Sequence, residues 1–221
     1  MARQSHLMAI ALLCGPLTSV NAAPAPHEPV EWTWAEFPDR IDQALPDVLL
    51  EGDSITRNYY PEVRRLLAGK ANVFLFATSA CVGDPRLETE LRAYRRLAGR
   101  SFKVVHFNNG MHGWKISDAD YEKFFPRYLR AIHDVAPFAK RIWTSTTNMR
   151  VAVHDDASNE RIADRNRRAR DAIQSSAIST DDQNLLMAGR TSLYEDDIHF
   201  GTAGSAIQAV QVAQTISQAL P

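Results

Sequence analysis

The feature that most constrains the fold is a series of short, continuous apolar runs that alternate with longer segments of helical pattern. The runs lie at residues 48–50, 73–77, 104–107, 142–144 and 185–188. Each run is continuous rather than alternating, which is typical of a strand buried on both faces of a parallel sheet. Strands separated by crossover helices predict an α/β domain in which helices cover both faces of the sheet.

The helical patterns between those runs complete this prediction. They lie at residues 61–68, 86–98, 121–135, 161–178 and 203–220. Pro126 falls inside the third and predicts a kink or a break there. We expect a single domain over residues 47–221, built as a three-layer α/β/α sandwich around a five-stranded parallel sheet. The proline-rich residues 23–46 before it are expected to form a leader that packs over the domain without adding a strand.

Residues 1–22 are typical of a secretory signal peptide. They combine Arg3, an apolar stretch too short to span a bilayer, and small residues around Ala22, near which we expect cleavage. We therefore expect export to the periplasm or the extracellular space. Cleavage removes Cys14 and leaves Cys81, so the domain is expected to be stable without a disulfide.

The charge balance narrows the range of partners. The formal net charge of the full chain is −1. Such a balance gives no reason to expect nucleic acid or an anionic membrane as a partner. Beyond the signal peptide we find no segment long and apolar enough to cross a membrane. We expect no cofactor, no metal ion and no protein partner.

A serine follows the first predicted strand at the turn into a helix, in the sequence Gly52-Asp53-Ser54. The glycine allows the backbone to turn sharply where the strand ends. A hydroxyl at the carboxyl edge of a parallel sheet is well placed to act as a nucleophile. An ordinary loop in which Asp53 or Ser54 caps the helix has the same pattern, and this stretch alone favours capping.

A serine hydroxyl is a weak nucleophile unless a base takes its proton, and a third group usually orients that base. His199 lies between the last predicted strand and the last helix, three residues after Asp196. This spacing lets one turn place the carboxylate against one ring nitrogen and leave the other nitrogen free. We interpret Asp196, rather than Asp197 or Glu195, as the group that orients His199; a surface ion pair is the alternative.

The other histidines are weaker candidates for the base. His106 falls within a buried strand, where a core histidine with satisfied ring nitrogens is favoured. His112 follows the third strand and is near enough to reach the site, but no carboxylate close to it in sequence would orient it. The remaining histidines fall in the signal peptide, the leader, a helix and a charged loop.

The two motifs together resemble the SGNH/GDSL hydrolases. The matching segments are residues 52–54, after the first strand, and residues 196–199, near the C-terminus. Gly83 resembles the glycine of the family's second block, which follows the second strand. The resemblance covers about residues 47–221. It implies a flavodoxin-like sheet with strand order 2-1-3-4-5.

The resemblance also implies ester hydrolysis by a triad. Ser54 would attack, His199 would act as general base and then as acid, and Asp196 would hold the imidazole. The family's oxyanion hole uses the backbone N–H groups of the serine and of the second-block glycine, which are Ser54 and Gly83 here. An asparagine side chain from the third block, Gly-x-Asn-Asp, completes it.

The third block departs from the family pattern, because the chain reads Asn108-Asn109-Gly110-Met111. Positions two apart on an extended backbone share a face, so an exchange of Asn and Gly keeps the amide on the same side. We therefore assign the oxyanion donor to Asn108, with Asn109 as the runner-up. In the alternative, both amides only close the loop by bonding backbone groups.

These observations predict an exported esterase that acts on small acyl esters. Acetyl groups on carbohydrate are favoured, because export places the enzyme among glycans and because many members of the family act there. Alternatives of the same fold are a lipid esterase or thioesterase and an O-acetyltransferase. A non-catalytic glycan-binding module is disfavoured, since binding alone requires no serine, histidine and aspartate set.

For the tryptophans, one cationic run and the remaining cysteine, a structural role is favoured at least as strongly as a functional one. Trp32, Trp34 and Trp114 are candidates for a sugar-binding surface, although packing is at least as strongly favoured. The cationic run at residues 161–170 is interpreted as a solvated helix face. Cys81 is interpreted as a small buried thiol.

Overall fold

The computed structural model describes residues 27–153 and 156–221. The expected signal peptide lies outside the described residues. One six-stranded sheet forms the centre, with the order β1-β3-β2-β4-β5-β6. The strands are β1 Thr33–Glu36, β2 Asp47–Gly52, β3 Asn72–Thr78, β4 Phe102–Phe107, β5 Lys140–Thr144 and β6 Ile178–Asp181. Strands β2 to β6 run parallel, and among themselves they have the order 2-1-3-4-5 that the resemblance implied.

Helices cover both faces of this sheet, as predicted. They are α1 Ser54–Leu66, α2 Pro85–Ala98, α3 Asp118–Val135, α4 Asn159–Ile173, α5 Gln183–Met187 and α6 Thr202–Ala219. In β2, Val48 and Leu50 face the core formed with α1 and α6, whereas Leu49 faces the core formed with α2 and α3. Each parallel strand in the middle of the sheet is therefore apolar on both faces, which accounts for the continuous apolar runs.

Among residues 27–153 and 156–221, no helix combines the length and the apolar character that a membrane span requires. The third predicted helix, α3, passes through Pro126 without a break.

The leader does contribute a strand, so the predicted sheet of five parallel strands was wrong in this respect. Strand β1 pairs antiparallel with β3, with Thr33 opposite Thr78 and Glu36 opposite Leu75. An uncovered β3 would expose a row of unpaired backbone N–H and C=O groups, and the leader covers that edge. The sheet is consequently mixed and has six strands.

The fifth predicted strand, at residues 185–188, was also wrong. This stretch belongs mostly to α5, in which Met187 is buried and Leu185 is 73% exposed. The last parallel strand is β6. The sequence analysis placed its residues at the end of the fourth predicted helix and in the loop that follows that helix. Strand β6 lies at the edge of the sheet and exposes Ser179 and Thr180, so it carries no apolar run.

An acid lies in the middle of the core. Glu51, in β2, is fully buried and accepts a hydrogen bond from the Tyr128 hydroxyl of α3. Its second carboxyl oxygen has no hydrogen-bond partner among the described residues. Burial raises the pKa of Glu51 to about 8, and the charge of Asp53 adds to the rise, against the effect of the Tyr128 hydrogen bond. Glu51 is therefore protonated in the folded protein at neutral pH.

We predict that Glu51→Gln increases stability at pH 8 and weakens its dependence on pH. The ordinary pKa of a glutamate is 4.5, and that of folded Glu51 is about 8. Between these two pH values, Glu51 loses its proton in the unfolded chain and retains it in the folded protein. The free energy of unfolding of the wild type should therefore fall as pH rises through this window, by about 1–3 kcal/mol. Urea unfolding at pH 5 and pH 8 measures this fall. Glu122→Gln, at an exposed position, should behave as the wild type; an equal fall in Glu51→Gln would contradict the prediction.

Candidate active site

Ser54 lies at the turn between β2 and α1. Strand β2 ends at Gly52, where an added Cβ would lie 2.2 Å from the Thr56 hydroxyl oxygen, so the turn leaves no room for a side chain. The Asp53 carboxylate caps α1 by accepting a hydrogen bond from the Ile55 backbone N–H at 2.9 Å. Because Asp53 provides the cap, the Ser54 hydroxyl at the first helical position remains available for other partners.

The segment that carries His199 is a closed loop between a 3-10 turn, Thr191–Leu193, and α6. Tyr194 and Phe200 form an isolated antiparallel bridge, and their rings lie 4.1 Å apart. Within that bridge, the Glu195 backbone N–H donates to the His199 carbonyl at 2.9 Å. These bonds hold the loop in one shape before α6 begins.

The structure brings Ser54, His199 and Asp196 together in a continuous series of hydrogen bonds. His199 Nε2 lies 2.7 Å from Ser54 Oγ, and His199 Nδ1 lies 2.8 Å from Asp196 Oδ2. The other Asp196 oxygen accepts the backbone N–H groups of Ile198 at 2.7 Å and His199 at 2.6 Å. Asp197 instead forms an ion pair with Arg150 at 2.9 Å.

The environment of Asp196 determines how the imidazole is oriented. Burial by itself would raise the pKa of Asp196, but the hydrogen bonds from His199 and Ile198 outweigh burial and lower it to about 2. Asp196 is therefore ionised at neutral pH and can only accept hydrogen bonds. In the neutral imidazole the proton consequently lies on Nδ1, and Nε2 is left to accept the Ser54 proton.

Ser54 and His199 open onto a cleft of about 910 Å³. Its lining comes from five segments: residues 27–32 of the leader, the first turn of α1, residues 111–115 after β4, Val153 and Asp156 before α4, and the loop of His199. Such a volume is within the range of small-molecule sites. The carboxyl edge of the sheet thus carries the cleft, as the placement of Ser54 predicted.

Asn108 does not line this cleft. Its side-chain amide donates to the Thr144 carbonyl at 2.6 Å and to the Thr146 hydroxyl at 3.0 Å, which joins the ends of β4 and β5. Both amide hydrogens are therefore used within the protein. The assignment of Asn108 as the oxyanion donor is corrected accordingly.

Asn109 points to the opposite side of the backbone, as the alternation along an extended chain predicts. Its amide donates to the Ala80 carbonyl at 2.8 Å, and its oxygen accepts the Val82 N–H at 2.9 Å. This pair holds the loop that contains Gly83, whose φ of 95° favours glycine. Neither Asn109 nor Gly83 is among the residues that line the cleft, and the alternative in which both amides close the loop describes the structure.

His112 is a cleft residue that the sequence interpretation set aside. Its Nδ1 lies 2.9 and 3.0 Å from the two carboxyl oxygens of Glu28, which comes from the leader, 84 positions earlier. The missing carboxylate is therefore supplied from a distant part of the sequence. A register shifted by two positions would have placed Gly110 at the Gly position of the third block and His112 at its Asn position.

Arg165 is a second residue whose role the sequence did not reveal. Its side chain is 1% exposed, and its guanidinium donates to the carbonyls of Gly110 at 3.1 Å, His112 at 2.9 Å and Gly113 at 2.8 Å. It also lies 4.6 Å from the centre of the Trp114 ring. The interpretation of residues 161–170 as a solvated face is thus wrong for this arginine.

Two other interpretations concern His106 and Cys81. His106 is a core histidine, fully buried in β4, with Nε2 2.8 Å from the Asp181 carboxylate. Its Nδ1 has no hydrogen-bond partner among the described residues, so the expectation of two satisfied ring nitrogens was wrong for that atom. Cys81 is a free, buried cysteine, and burial raises the pKa of its thiol to about 12. The thiolate form is therefore scarce at neutral pH, and we assign Cys81 no chemical role.

The three tryptophans occupy different positions. Trp32 and Trp114 line the cleft. Trp34 is 46% exposed, and it holds the Arg57 guanidinium at 5.2 Å from its ring centre. Arg57 also lies 5.5 Å from the Trp32 ring centre, so the two leader tryptophans flank one arginine of α1.

Within residues 27–153 and 156–221, one group of three potential metal ligands lies close together, namely His27, Glu31 and Asp84. Both carboxylates already form ion pairs with Arg86. These contacts neutralise the group, and we assign no metal site to it.

The structure is similar to solved structures of hydrolases. The aryl esterase of M. smegmatis has a TM-score of 0.64 and 12% identity, over 79% of this chain and 100% of that chain. A GDSL-like lipase from Bacteroides thetaiotaomicron has a TM-score of 0.59 and 14% identity, over 79% and 89%. A lipase/acylhydrolase from Enterococcus faecalis has a TM-score of 0.59 and 16% identity, over 80% and 97%. No protein-family model and no curated protein matches the sequence.

At these identities the likeness concerns the fold. The chain has the fold of the SGNH/GDSL hydrolases, which confirms at that level the resemblance carried by residues 52–54 and 196–199. The sixth strand, β1, belongs to the leader.

We predict that Asn108→Ala and Asn109→Ala each lower stability and leave Ser54 reactive. Each substitution strands buried backbone groups without a partner, which costs about 1–3 kcal/mol per site. Thermal or urea unfolding measures the loss, and the rate of labelling by a fluorophosphonate probe measures the reactivity of Ser54. A variant as stable as the wild type whose Ser54 no longer reacts would restore that asparagine as an oxyanion donor.

Proposed function

We propose that the protein hydrolyses carboxylic esters with Ser54 as the nucleophile. The observation that carries the proposal is the series Ser54–His199–Asp196, with separations of 2.7 and 2.8 Å, at a cleft large enough for a substrate. The similar structures include a GDSL-like lipase, a lipase/acylhydrolase and an aryl esterase, which supports an ester as the substrate.

The reaction follows from the hydrogen bonds of these three residues. Ser54 Oγ attacks the acyl carbon while its proton passes to His199 Nε2, and the Asp196 carboxylate stabilises the imidazolium. The bond to the alcohol oxygen then breaks as His199 returns the proton to that oxygen, which leaves an acyl-Ser54. Water attacks the acyl carbon in the same way, giving its proton to His199, and the acid leaves as Ser54 recovers its hydrogen.

The backbone also contributes to the proposed chemistry. Negative charge develops on the acyl oxygen during attack, and preorganised N–H donors stabilise it. Ser54 is the first residue of α1, where backbone N–H groups and the helix dipole favour a negative charge. Of the two backbone donors that the resemblance implied, Ser54 lines the cleft and Gly83 does not, so we propose the Ser54 N–H as the backbone donor, and the role of Gly83 stays a prediction.

For the substrate we propose a small acyl group, with acetyl favoured, on a carbohydrate. Trp32 and Trp114 both line the cleft, and Trp114 is only 6% exposed, so Trp32 offers the more accessible aromatic surface. The charged side chains of Arg57, Lys115 and Asp156 share the lining. This mixture suits a polar alcohol portion such as a sugar better than a long acyl chain, so a lipid esterase or thioesterase is the weaker alternative. Acyl transfer to a sugar hydroxyl uses the same triad and differs only in the acceptor.

Export completes the proposal. Residues 1–22 have the composition of a signal peptide, and an exported esterase meets acylated glycans outside the cytoplasm. A non-catalytic glycan-binding module is disfavoured, because such a module has no use for the hydrogen-bonded series at Ser54.

We predict that Ser54→Ala folds normally and loses p-nitrophenyl acetate hydrolysis by roughly 10³-fold or more, because the nucleophile is gone. A fluorophosphonate probe should label the wild type at Ser54, as peptide mass spectrometry reads out. Ser175→Ala, at an exposed turn, is the matched control and should retain full activity. Labelling at a different serine would refute the assignment.

We predict unequal effects for two adjacent amide substitutions. Asp196→Asn should lower kcat by about 10²–10⁴-fold, because an amide no longer holds the proton on His199 Nδ1. Asp197→Asn removes only the partly exposed ion pair with Arg150, so kcat should stay within about threefold of the wild type. Ester hydrolysis by both variants, with unfolding curves as the stability control, makes the comparison. Equal losses would show that the carboxylate has been misassigned.

A further inference from the structure

His112 has a ring nitrogen that the protein leaves unsatisfied. Its side chain is 14% exposed, and Nε2 is buried with no hydrogen-bond partner among the described residues. A buried polar atom without a partner costs about 1–3 kcal/mol, so a partner is expected when the site is at work. His112 is one of the residues that line the cleft of Ser54 and His199. The partner of Nε2 is therefore expected to come from a molecule bound in the cleft.

The contacts at Nδ1 determine what Nε2 can do. Burial would raise the pKa of Glu28, but its bonds with His112 and the Gly113 N–H outweigh burial and lower it. Glu28 is therefore an ionised carboxylate, which only accepts hydrogen bonds, so the proton must lie on Nδ1. A neutral His112 would then present a lone pair at Nε2, whereas a cationic His112 presents an N–H donor.

The charges around His112 favour the cation. Glu28 and Glu31 face it from the leader, and Asp53 faces it from the turn before α1; Arg165 of α4 contacts its backbone carbonyl. Burial by itself would lower the pKa of His112, but the bond to Glu28 and the charges of the three acids outweigh burial and raise it.

We propose that His112 is the side-chain donor of the oxyanion hole and that Glu28 holds it in its cationic form. This inference rests on the proposed ester hydrolysis at Ser54. When Ser54 attacks, the acyl oxygen becomes negative, and Nε2–H of His112 donates a charge-assisted hydrogen bond to it. His112, which lines the cleft, thus takes the donor role that the sequence analysis assigned to Asn108.

The loop that carries His112 is built to keep the ring in place. Arg165 binds the carbonyl of His112 and those of Gly110 and Gly113 on either side. Gly113 has a φ of 74°, and an added Cβ would lie 2.4 Å from the Cys81 sulfur, so the loop packs closely there. An oxyanion donor must be preorganised to lower the barrier, and these contacts supply that rigidity.

The first test separates the transition state from binding. His112→Ala should lower kcat for p-nitrophenyl acetate by about 10²–10³-fold with little change in KM, because the oxyanion forms only during reaction. His112→Gln supplies a neutral N–H donor at the same number of bonds from Cα as Nε2 and should recover at least tenfold of that loss. Unfolding curves establish that each variant is folded. A His112→Ala variant with kcat within about threefold of the wild type would overturn the proposal.

The second test addresses the charge of His112. Its cationic form is lost as pH rises, so kcat should fall on the alkaline side, and Glu28→Gln should move that fall to lower pH by removing the charge that favours the cation. Glu36→Gln, on β1 of the same leader, is the control and should leave the profile unchanged. An unmoved alkaline limb in Glu28→Gln would refute the role of Glu28. If His112→Ala fails to fold, His112→Gln and Glu28→Gln still decide the question.

The two proposals can fail separately. Full activity in Ser54→Ala would remove the proposed function and this inference with it. Loss of activity in Ser54→Ala together with full activity in His112→Ala would leave the esterase proposal standing and remove His112 alone. In that case Nε2 would be a structural atom of the cleft wall.

Discussion

The shape of the candidate site depends on one buried guanidinium. Residues 108–117 contain no helix or strand, so their backbone carbonyls need partners from elsewhere in the protein. Arg165 donates to four of them, because a planar group with five N–H donors can reach several acceptors at once. They are the carbonyls of Gly110, His112, Gly113 and Ile116. Trp114 packs against the same group at 4.6 Å. The less buried Arg161 adds bonds to the carbonyls of Trp114 and Ile116, so α4 holds this wall of the cleft through two arginines.

Two histidines line that cleft, and each is oriented by its own carboxylate. His199 receives Asp196 from within its own loop, at 2.8 Å, and must be neutral to accept a proton. His112 receives Glu28 from the leader, at 2.9 Å, and in our proposal must be charged to donate one. Sites that combine acid and base chemistry commonly separate the two groups by environment in this way. The leader is thus part of the site as well as the cover of the sheet edge.

The sequence determined most of the fold because a central strand, buried on both faces, must be apolar at nearly every position. Strands β2, β3, β4 and β5 all carry continuous apolar runs, and the helices between them follow from that alternation. Strands β1 and β6 escaped prediction because both lie at sheet edges, where exposed positions such as Thr33 and Thr180 tolerate polar residues. Edge pairing is decided by which strand edges remain open in the folded sheet.

In the candidate site, too, some features follow from the local sequence and others only from the tertiary structure. The sequence by itself determined the parts that depend on local geometry: the turn at Gly52 that presents Ser54, and the three-residue spacing that sets Asp196 against His199. Only the tertiary structure decided the partners of Asn108 and Asn109, the approach of Glu28 to His112, and the burial of Arg165. These contacts join residues tens of positions apart, through chain crossings that follow from the strand order. The spacing of residues along the chain does not reveal such contacts, so local sequence patterns could not predict them.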